Sequence, residues 1–201
     1  MKLIKSLELY IYFKVIIMKN SQILDITHRL IKSYITDDDV AVDMTMGNGY
    51  DMLFLAQNSK FVYGFDIQKP ALENTLNLLE KHNINNVKCI LDSHENILKY
   101  VTNFKYVIYN LGYLPNGDKT ITTYYQSTLD SLALVLDHID DQGIVFLMVY
   151  PGHLEGSKES IHLDKYLETL NPHAFKIVKT YLPYQDNKPP YLLTIYKTKR
   201  T

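Results

Sequence analysis

The sequence predicts an α/β fold with a mostly parallel sheet that carries helices on both of its faces. Short runs rich in β-branched residues alternate with longer segments in which apolar residues recur every three or four positions. The last two strand-like runs follow each other without a helical pattern between them, which indicates one antiparallel edge strand. A chain of 201 residues, 46% apolar and 21% charged, is typical of a single globular domain.

The segment before Met18 is expected to be an upstream extension, so that residues 18–201 form the domain. Its apolar stretch is interrupted by Glu8 and Lys14 and lacks a cleavage-site pattern. Neither a signal peptide nor a membrane span is therefore predicted. Residues 21–35 then carry the apolar face of a helix, in which His28 is a candidate for the mouth of a site.

The first strand and the turn that follows it organise the rest of the chain. An apolar run from Val40 ends at Asp43, a Gly-x-Gly turn follows at Gly47 and Gly49, and a helical pattern begins at Asp51. Strand, glycine turn and helix are the layout of a nucleotide-binding βα unit. A methionine occupies the position of the third glycine of a dinucleotide fingerprint, which disfavours a pyrophosphate cradle. A glycine turn without any ligand is the alternative.

The remaining elements alternate in the same way, and seven strands are expected in all. Strands are predicted at residues 61–65, 87–91, 106–109 and 144–150, and helices at 70–82, 95–100, 122–137 and 157–170. Two last strands are predicted at residues 175–182 and 191–197. Pro70 stands near a helix start, where proline is favoured.

Polar side chains follow four successive parallel strands, at the point where each strand ends. They are Asp43, Asp66, Asp92 and Asn110. Because ligands of open α/β sheets bind beyond the carboxyl ends of the strands, this row predicts a ligand site. Asp66 stands at about the interval, roughly 20 residues, at which an acid meets ribose hydroxyls. For Asp92, a helix N-cap is an equally good interpretation.

Residues 43–51 resemble the first motif of class I methyltransferases, with Thr45 where those proteins usually have a glycine. This resemblance implies a Rossmann-like class I methyltransferase fold and S-adenosylmethionine as cofactor, its methionine half against the glycine loop. The expected cofactor contacts lie at the ends of the first four strands: Asp43, Thr45, Gly47, Asn48, Gly49, Asp51, Asp66, Ile67, Gln68, Asp92, Ser93, His94 and Asn110.

The stretch from Asn110 to Tyr113 resembles the Asn-Pro-Pro-Tyr motif of methyltransferases that act on amines, with Leu111 and Gly112 in place of the prolines. An amine that attacks a sulfonium methyl must present a neutral lone pair in line. The side-chain oxygen of Asn110 and the backbone carbonyl of Leu111 would hold the N–H groups, and Tyr113 would stack on the base. These three residues are the predicted catalytic set.

Other chemistries and compartments are less favoured. Cys89, the single cysteine, lies in mid-strand rather than at a strand end, which disfavours a cysteine adduct on a pyrimidine. The histidines lack metal-ligand spacing, so no metal is predicted. A net charge of -1 neither demands nor excludes a nucleic-acid partner. One cysteine fits a reducing compartment, and a cytoplasmic location is expected.

Several motifs together resemble the bacterial tRNA 5-aminomethyl-2-thiouridine methyltransferases of the MnmM type, long labelled rRNA methylases. The most specific is Asn-Leu-Gly-Tyr-Leu-Pro-Asn-Gly-Asp-Lys at residues 110–119; the others are residues 43–51, 64–68, 94–95, 150–153 and 187–190. The resemblance implies methylation of the aminomethyl nitrogen of the tRNA wobble uridine.

The substrate side would be built largely from loops beyond Asn110, including the segment after the fifth strand. Lysines and a histidine there are candidates for phosphate contacts. The full set of expected substrate residues is His28, Gly112, Tyr113, Leu114, Pro115, Lys119, Tyr150, Gly152, His153, Lys158 and Lys188. The expected partner is the anticodon stem-loop of tRNA, and a homodimer would suit a small enzyme that grips a large RNA.

Two alternatives remain open from the sequence. One is an enzyme of the same class that methylates an amine on rRNA or on a protein side chain. The other is a cofactor-binding module without catalysis that acts within an RNA complex. The identity of the methylated nucleoside separates the first from the tRNA enzyme, and cofactor binding without transfer would indicate the second.

Overall fold

A seven-stranded sheet forms the centre of the protein in the computed structural model, which describes residues 22–112, 124–186 and 188–199. Its strands are β1 (Val40–Asp43), β2 (Phe61–Asp66), β3 (Val87–Leu91), β4 (Tyr106–Asn110), β5 (Ile144–Val149), β6 (Phe175–Thr180) and β7 (Tyr191–Lys197). The α-helices are α1 (Gln22–Lys32), α2 (Tyr50–Ala56), α3 (Lys69–Lys81), α4 (Tyr125–His138) and α5 (Leu154–Glu168), and a 3-10 helix spans His94–Lys99.

The strand order is β3-β2-β1-β4-β5-β7-β6, and the first five strands of this order are mutually parallel. β7 runs antiparallel to both β5 and β6. The predicted mostly parallel, seven-stranded sheet with an antiparallel pair at one end is therefore confirmed. The antiparallel strand itself, β7, is not the edge strand that the sequence indicated, because it lies between β5 and the edge strand β6. β2 and β3 lie on one side of β1, whereas β4 and β5 lie on the other, so the strand order reverses between β1 and β4. Ligands of open α/β sheets bind at such a topological switch point.

Apolar side chains on the two faces of the sheet build two separate cores. Val42 belongs to the core under the 3-10 helix, α4 and α5, whereas its neighbour Ala41 belongs to the core under α1, α2 and α3. This follows from the alternation of side chains along a strand, and it explains why the central strands are apolar on both faces. Among the described residues, none of the helices combines the length and the apolar character that a bilayer crossing requires.

Most predicted boundaries agree with the structure to within a few residues, and two helices differ for a local reason. α5 begins at Leu154 rather than at residue 157, because the side chain of His153 accepts the backbone N–H of Gly156 at 3.1 Å and caps the helix. The helix predicted at 95–100 is a 3-10 helix capped by Ser93. The proposed extension before Met18 and the first two residues of the helix predicted at 122–137 lie outside the described residues.

Candidate functional site

The candidate site lies at the carboxyl ends of β1, β2, β3 and β4, and Asp43 stands at its centre. Asp43 pairs in register with Gly64 of β2 and Ile108 of β4, so the switch point of the sheet falls on this residue. The carboxyl group is fully buried, and its Oδ1 accepts the backbone N–H of Thr45 at 3.0 Å. Burial first, and then the nearby Asp51 and Asp66 carboxylates, raise the pKa of Asp43 well above its ordinary value.

The loop between β1 and α2 is held from outside by α3. Thr75 donates its hydroxyl to the backbone oxygen of Gly47 at 3.1 Å, and Asn74 donates to the side-chain oxygen of Asn48 at 3.0 Å. Gly49, at a φ of 84°, caps α2, and a Cβ at that position would lie 2.9 Å from the Cα of Thr75. The glycine is therefore required by helix packing as well as by its positive φ. Sequence reasoning missed Thr75, because no local pattern connects it with the loop.

Asp66 joins the end of β2 to the glycine loop. Its two carboxylate oxygens accept the backbone N–H groups of Gln68 at 2.9 Å and Gly47 at 3.0 Å. Burial raises the pKa of this carboxyl group, although both hydrogen bonds act in the opposite direction. A carboxylate has about four acceptor positions, so capacity remains for hydroxyl groups of a ligand. Ile67, beside it, is exposed and provides an apolar surface at the same edge.

Asp92 organises the turn after β3. Its carboxylate accepts hydrogen bonds from Asn96 at 2.8 Å, from the Tyr100 hydroxyl at 2.9 Å and from the backbone N–H of Ser93 at 2.8 Å. These bonds, that from Asn96 foremost, lower the pKa of Asp92. The N-cap role considered for Asp92 belongs to Ser93 instead. Contact of either residue with a cofactor stays a prediction.

His94 is a buried histidine at the start of the 3-10 helix. Its ring meets the edge of Tyr109 at a centroid distance of 5.9 Å, and its Nδ1 is buried without a hydrogen-bond partner among the described residues. Burial lowers the pKa of His94 to about 4, so the imidazole is neutral near pH 7. A neutral ring nitrogen at this edge can donate to or accept from a ligand, depending on its tautomer.

Asn110 at the end of β4 connects the glycine loop with α2. Its backbone N–H donates to the hydroxyl of Thr45 at 2.7 Å, and its side-chain Nδ2 donates to Oδ2 of Asp51. The threonine that replaces the usual glycine of the loop therefore holds Asn110 in place. The Oδ1 atom of Asn110 is buried and accepts no hydrogen bond from any residue that the structure describes.

The segment after β5 lies beside Gly112, which follows β4. A Cβ on Gly112 would stand 3.9 Å from Nε2 of His153 and 4.0 Å from Cδ2 of Tyr150. Leu111 is buried and donates its backbone N–H to Met148 of β5 at 3.0 Å. Burial, and then the Asp51 carboxylate, raise the pKa of the Tyr150 hydroxyl to about 12.

The other predicted substrate residues are not brought together by any contact within the described part of the chain. His28 lies on α1 and bonds Asp51; Gly152 and Lys188 are exposed; and Lys158 forms an ion pair with Glu155 at 2.7 Å. Their expected contacts with RNA stay predictions. Four further candidates, Tyr113, Leu114, Pro115 and Lys119, lie outside the described residues.

Cys89 is half-buried in β3, and burial first and then Asp43 raise its pKa to about 11. The thiol is therefore protonated near neutral pH. Because a thiolate is the nucleophile in cysteine chemistry, this environment agrees with the expectation that Cys89 does not form an adduct with substrate.

The residues at this edge fit polar ligands, with S-adenosylmethionine as one of them. Oδ2 of Asp43, Nδ1 of His94 and Oδ1 of Asn110 are all buried, and within the described ranges none of them has a hydrogen-bond partner. Buried polar atoms of this kind are ordinarily satisfied, so their grouping at the carboxyl ends of neighbouring strands indicates where a ligand supplies the missing partners. Asp66 adds acceptor capacity at the same edge.

Comparison with known proteins agrees with this geometry. Residues 62–196 match the model of the family described as "Putative rRNA methylase". A chloroplast protein of Arabidopsis thaliana named tRNA (mnm(5)s(2)U34)-methyltransferase is 31% identical over 150 residues, which cover 67% of this chain and 55% of the plant protein. The match thus spans little more than half the length of that relative.

Two solved bacterial structures are similar along most of their length. A Streptococcus mutans protein described as "a putative methyltransferase", in complex with S-adenosylhomocysteine, is 35% identical, with a TM-score of 0.82 and coverage of 88% of this chain and 98% of that one. A Clostridium thermocellum structure described as "putative rRNA-methylase" is also 35% identical, with a TM-score of 0.84 and coverage of 87% of this chain and 97% of that one. The fold predicted from the sequence is confirmed by these two structures. The predicted enzyme class and cofactor agree with the description of the family and with the S-adenosylhomocysteine in the Streptococcus mutans structure.

Proposed function

Because the chain belongs to the family described as "Putative rRNA methylase", we propose that it methylates an amine of the tRNA wobble nucleoside. In this proposal the 5-aminomethyl group of the (2-thio)uridine becomes 5-methylaminomethyl, with S-adenosylmethionine as the methyl donor. The plant relative is named for the mnm(5)s(2)U34 position of tRNA, which supports this substrate. The bacterial relative with S-adenosylhomocysteine supports the donor.

The observation that carries the proposal is the orientation of Asn110. Its Nδ2 is occupied by Asp51, and its Oδ1 is buried without a hydrogen-bond partner among the described residues, at the end of the strand next to β1. An acceptor at this position suits a group that carries N–H bonds. Oxygen nucleophiles would need a base to remove a proton, whereas a neutral amine needs only to be held in line.

When bound, S-adenosylmethionine supplies a sulfonium methyl carbon, whose bond to sulfur breaks as the amine nitrogen bonds to it and leaves a neutral thioether. Asn110 accepts one amine N–H at Oδ1 and so directs the nitrogen lone pair. The positive charge that develops on nitrogen strengthens this hydrogen bond in the transition state, since charge-assisted bonds are the stronger ones. The methylated nitrogen then releases a proton to water. Tyr113 is the residue proposed to stack on the uracil ring.

The test is single-turnover methyl transfer to two tRNA preparations, one with the 5-aminomethyl group and one without it. Transfer is expected only to the first, and nucleoside mass spectrometry should find the added methyl on the wobble uridine. Asn110→Ala should lower the rate roughly 100-fold while the cofactor dissociation constant changes much less, because in-line positioning is lost. Equal transfer to both tRNAs would show that the amine is not the acceptor.

A second candidate substrate is an amine on rRNA, which is favoured by the description of the family itself. The same enzyme assayed with ribosomal RNA from a strain that lacks the gene would discriminate between the two. Transfer to rRNA with none to tRNA would replace the tRNA proposal. Cofactor binding without transfer to any RNA pool would indicate a module without catalysis.

A further inference from the structure

A chain of hydrogen bonds runs from α1 through α2 to the end of β4. Nε2 of His28 lies 2.5 Å from Oδ1 of Asp51, and the other oxygen of Asp51 accepts the Nδ2 hydrogen of Asn110. The His28 ring also stacks on Phe54, at a centroid distance of 4.1 Å and an interplanar angle of 4°. The His28 and Asp51 side chains are 31% and 16% exposed, so the chain of bonds is largely shielded from water.

We propose that Asp51 is a positioning residue that locks the Asn110 amide in one orientation, and that His28 holds Asp51 in place. An ionised carboxylate can only accept hydrogen bonds, so the amide must turn its NH₂ group toward Asp51. A half-turn of the amide would exchange its nitrogen and oxygen and would set two oxygen atoms against each other. The lock on one side of the amide therefore decides that an acceptor, Oδ1, faces the site.

Both oxygens of Asp51 contact protein side chains, His28 on one side and Asn110 on the other, so the contacts of this carboxylate tie it to Asn110. Asp43 and Asp66 already provide carboxylates at the same edge. The stack on Phe54 fixes the plane of the His28 ring, and the ring in turn supplies a donor to Oδ1 of Asp51. The side chains of His28, Asp51 and Asn110 come from α1, α2 and β4. The orientation of the Asn110 amide is therefore imposed by the fold and not by the local sequence. This inference rests on the proposed transfer to an amine, which needs an acceptor at that point.

The test is a double-mutant cycle between Asp51→Asn and Asn110→Ala. The amide introduced by Asp51→Asn keeps the shape of the side chain but can donate as well as accept, so it permits both orientations of the Asn110 amide. In the wild-type background, Asp51→Asn should lower kcat roughly 10- to 100-fold, with KM for tRNA and Kd for S-adenosylmethionine changed less than about 2-fold. In the Asn110→Ala background the same change should have no further effect, because the residue acts through Asn110.

Two variants serve as controls. Asp164→Asn removes a surface carboxylate that pairs with Lys179 at 3.0 Å, and it should leave all three constants unchanged. His28→Phe keeps a ring against Phe54 but deletes the N–H donor. It should lower kcat by a smaller factor than Asp51→Asn does. If His28→Phe left kcat at the wild-type value, His28 would have no part in the lock.

A measurement without turnover separates this inference from the proposed function. The ¹⁵N–¹H signals of the Asn110 side-chain amide, identified by their loss in Asn110→Ala, should shift in Asp51→Asn and in His28→Phe. Unchanged signals would overturn the lock even if the wild-type enzyme methylates tRNA. Shifted signals in a protein that transfers no methyl to tRNA would contradict the proposed substrate, while the role of Asp51 in orienting Asn110 would be supported. A selective loss of S-adenosylmethionine affinity in Asp51→Asn, with kcat intact, would make Asp51 a cofactor ligand instead.

Discussion

At the scale of single residues, the candidate site is defined by buried polar atoms that the described protein atoms leave unsatisfied. Oδ2 of Asp43, Nδ1 of His94 and Oδ1 of Asn110 are the examples at the carboxyl edge of the sheet. Each such atom costs about 1–3 kcal/mol of stability when no partner replaces water. Their persistence in one place is expected where a ligand supplies the missing hydrogen bonds.

His94 allows this environment to be tested through pH. Its folded pKa of about 4 lies below the ordinary value of 6.5, so the unfolded chain binds a proton that the folded protein excludes. Stability linked to His94 is therefore complete above pH 6.5 and is lost as the pH falls toward 4. Between pH 7 and pH 5, the wild type should lose about 2 kcal/mol more free energy of unfolding than His94→Gln, which does not titrate.

Urea denaturation of both proteins at the two pH values, without cofactor, is the measurement. The raised pKa values of Asp43 and Asp66 act in the opposite direction, since the folded protein binds those protons more readily, but both carboxyls are present in each protein. Their contribution cancels in the comparison. Equal pH dependence in the two proteins would contradict a buried, neutral His94.

At the scale of elements, the packing of α3 against the β1–α2 loop shapes the carboxyl edge of the sheet. Thr75 on α3 contacts the loop at Gly47 and stands directly behind Gly49. Asp66 binds the same loop from the end of β2. Two neighbouring elements, α3 and the end of β2, thus hold the loop through hydrogen bonds to Gly47.

Gly49→Ala tests this packing. The residue has a φ of 84°, and the added methyl would stand 2.9 Å from the Cα of Thr75, so backbone must shift. We expect the free energy of unfolding to fall by about 1–3 kcal/mol, as for other strained backbone positions. Gly152→Ala, at an exposed site with no positive φ, should change it by less than about 0.5 kcal/mol. Thermal unfolding of the two variants and the wild type is the measurement, and equal stability of all three would contradict the packing constraint.

At the scale of the whole molecule, binding of S-adenosylmethionine should stabilise the fold, because the site is assembled from the ends of four strands that are distant in sequence. At a concentration 100 times Kd, the ligand should add about 2.7 kcal/mol to the free energy of unfolding. Asp66→Ala should weaken binding roughly 10- to 100-fold through loss of hydrogen bonds to the ribose. At the same ligand concentration, the free energy of unfolding of Asp66→Ala should rise by only about 0.4–1.4 kcal/mol.

Calorimetry and thermal unfolding with increasing ligand would measure both effects. Asp164→Asn, which alters a surface ion pair, should show the wild-type gain. NAD should not raise the free energy of unfolding, since the loop between β1 and α2 lacks the third glycine of a dinucleotide site. Wild-type affinity in Asp66→Ala would remove this carboxylate from the site.

The sequence by itself determined the alternation of strands and helices and the polar residue at the end of each of the first four strands. These features depend on local patterns, namely β-branched runs, helical periodicity and glycine turns, and each is visible in a short window. Parallel strands share one carboxyl edge, so the row of Asp43, Asp66, Asp92 and Asn110 could be predicted without coordinates. The motif at Asn110 likewise predicted an acceptor for an amine.

Only the tertiary structure decided which partners those residues have. The bond from His28 to Asp51 joins positions 23 apart, and that from Asn110 to Asp51 joins positions 59 apart. Two further contacts also join segments that are distant in sequence. β7 pairs between β5 and β6, and Thr75 packs against the glycine loop. Such contacts depend on strand register and on the placement of helices over the sheet, which follow from the packing of the whole core and not from any local sequence pattern.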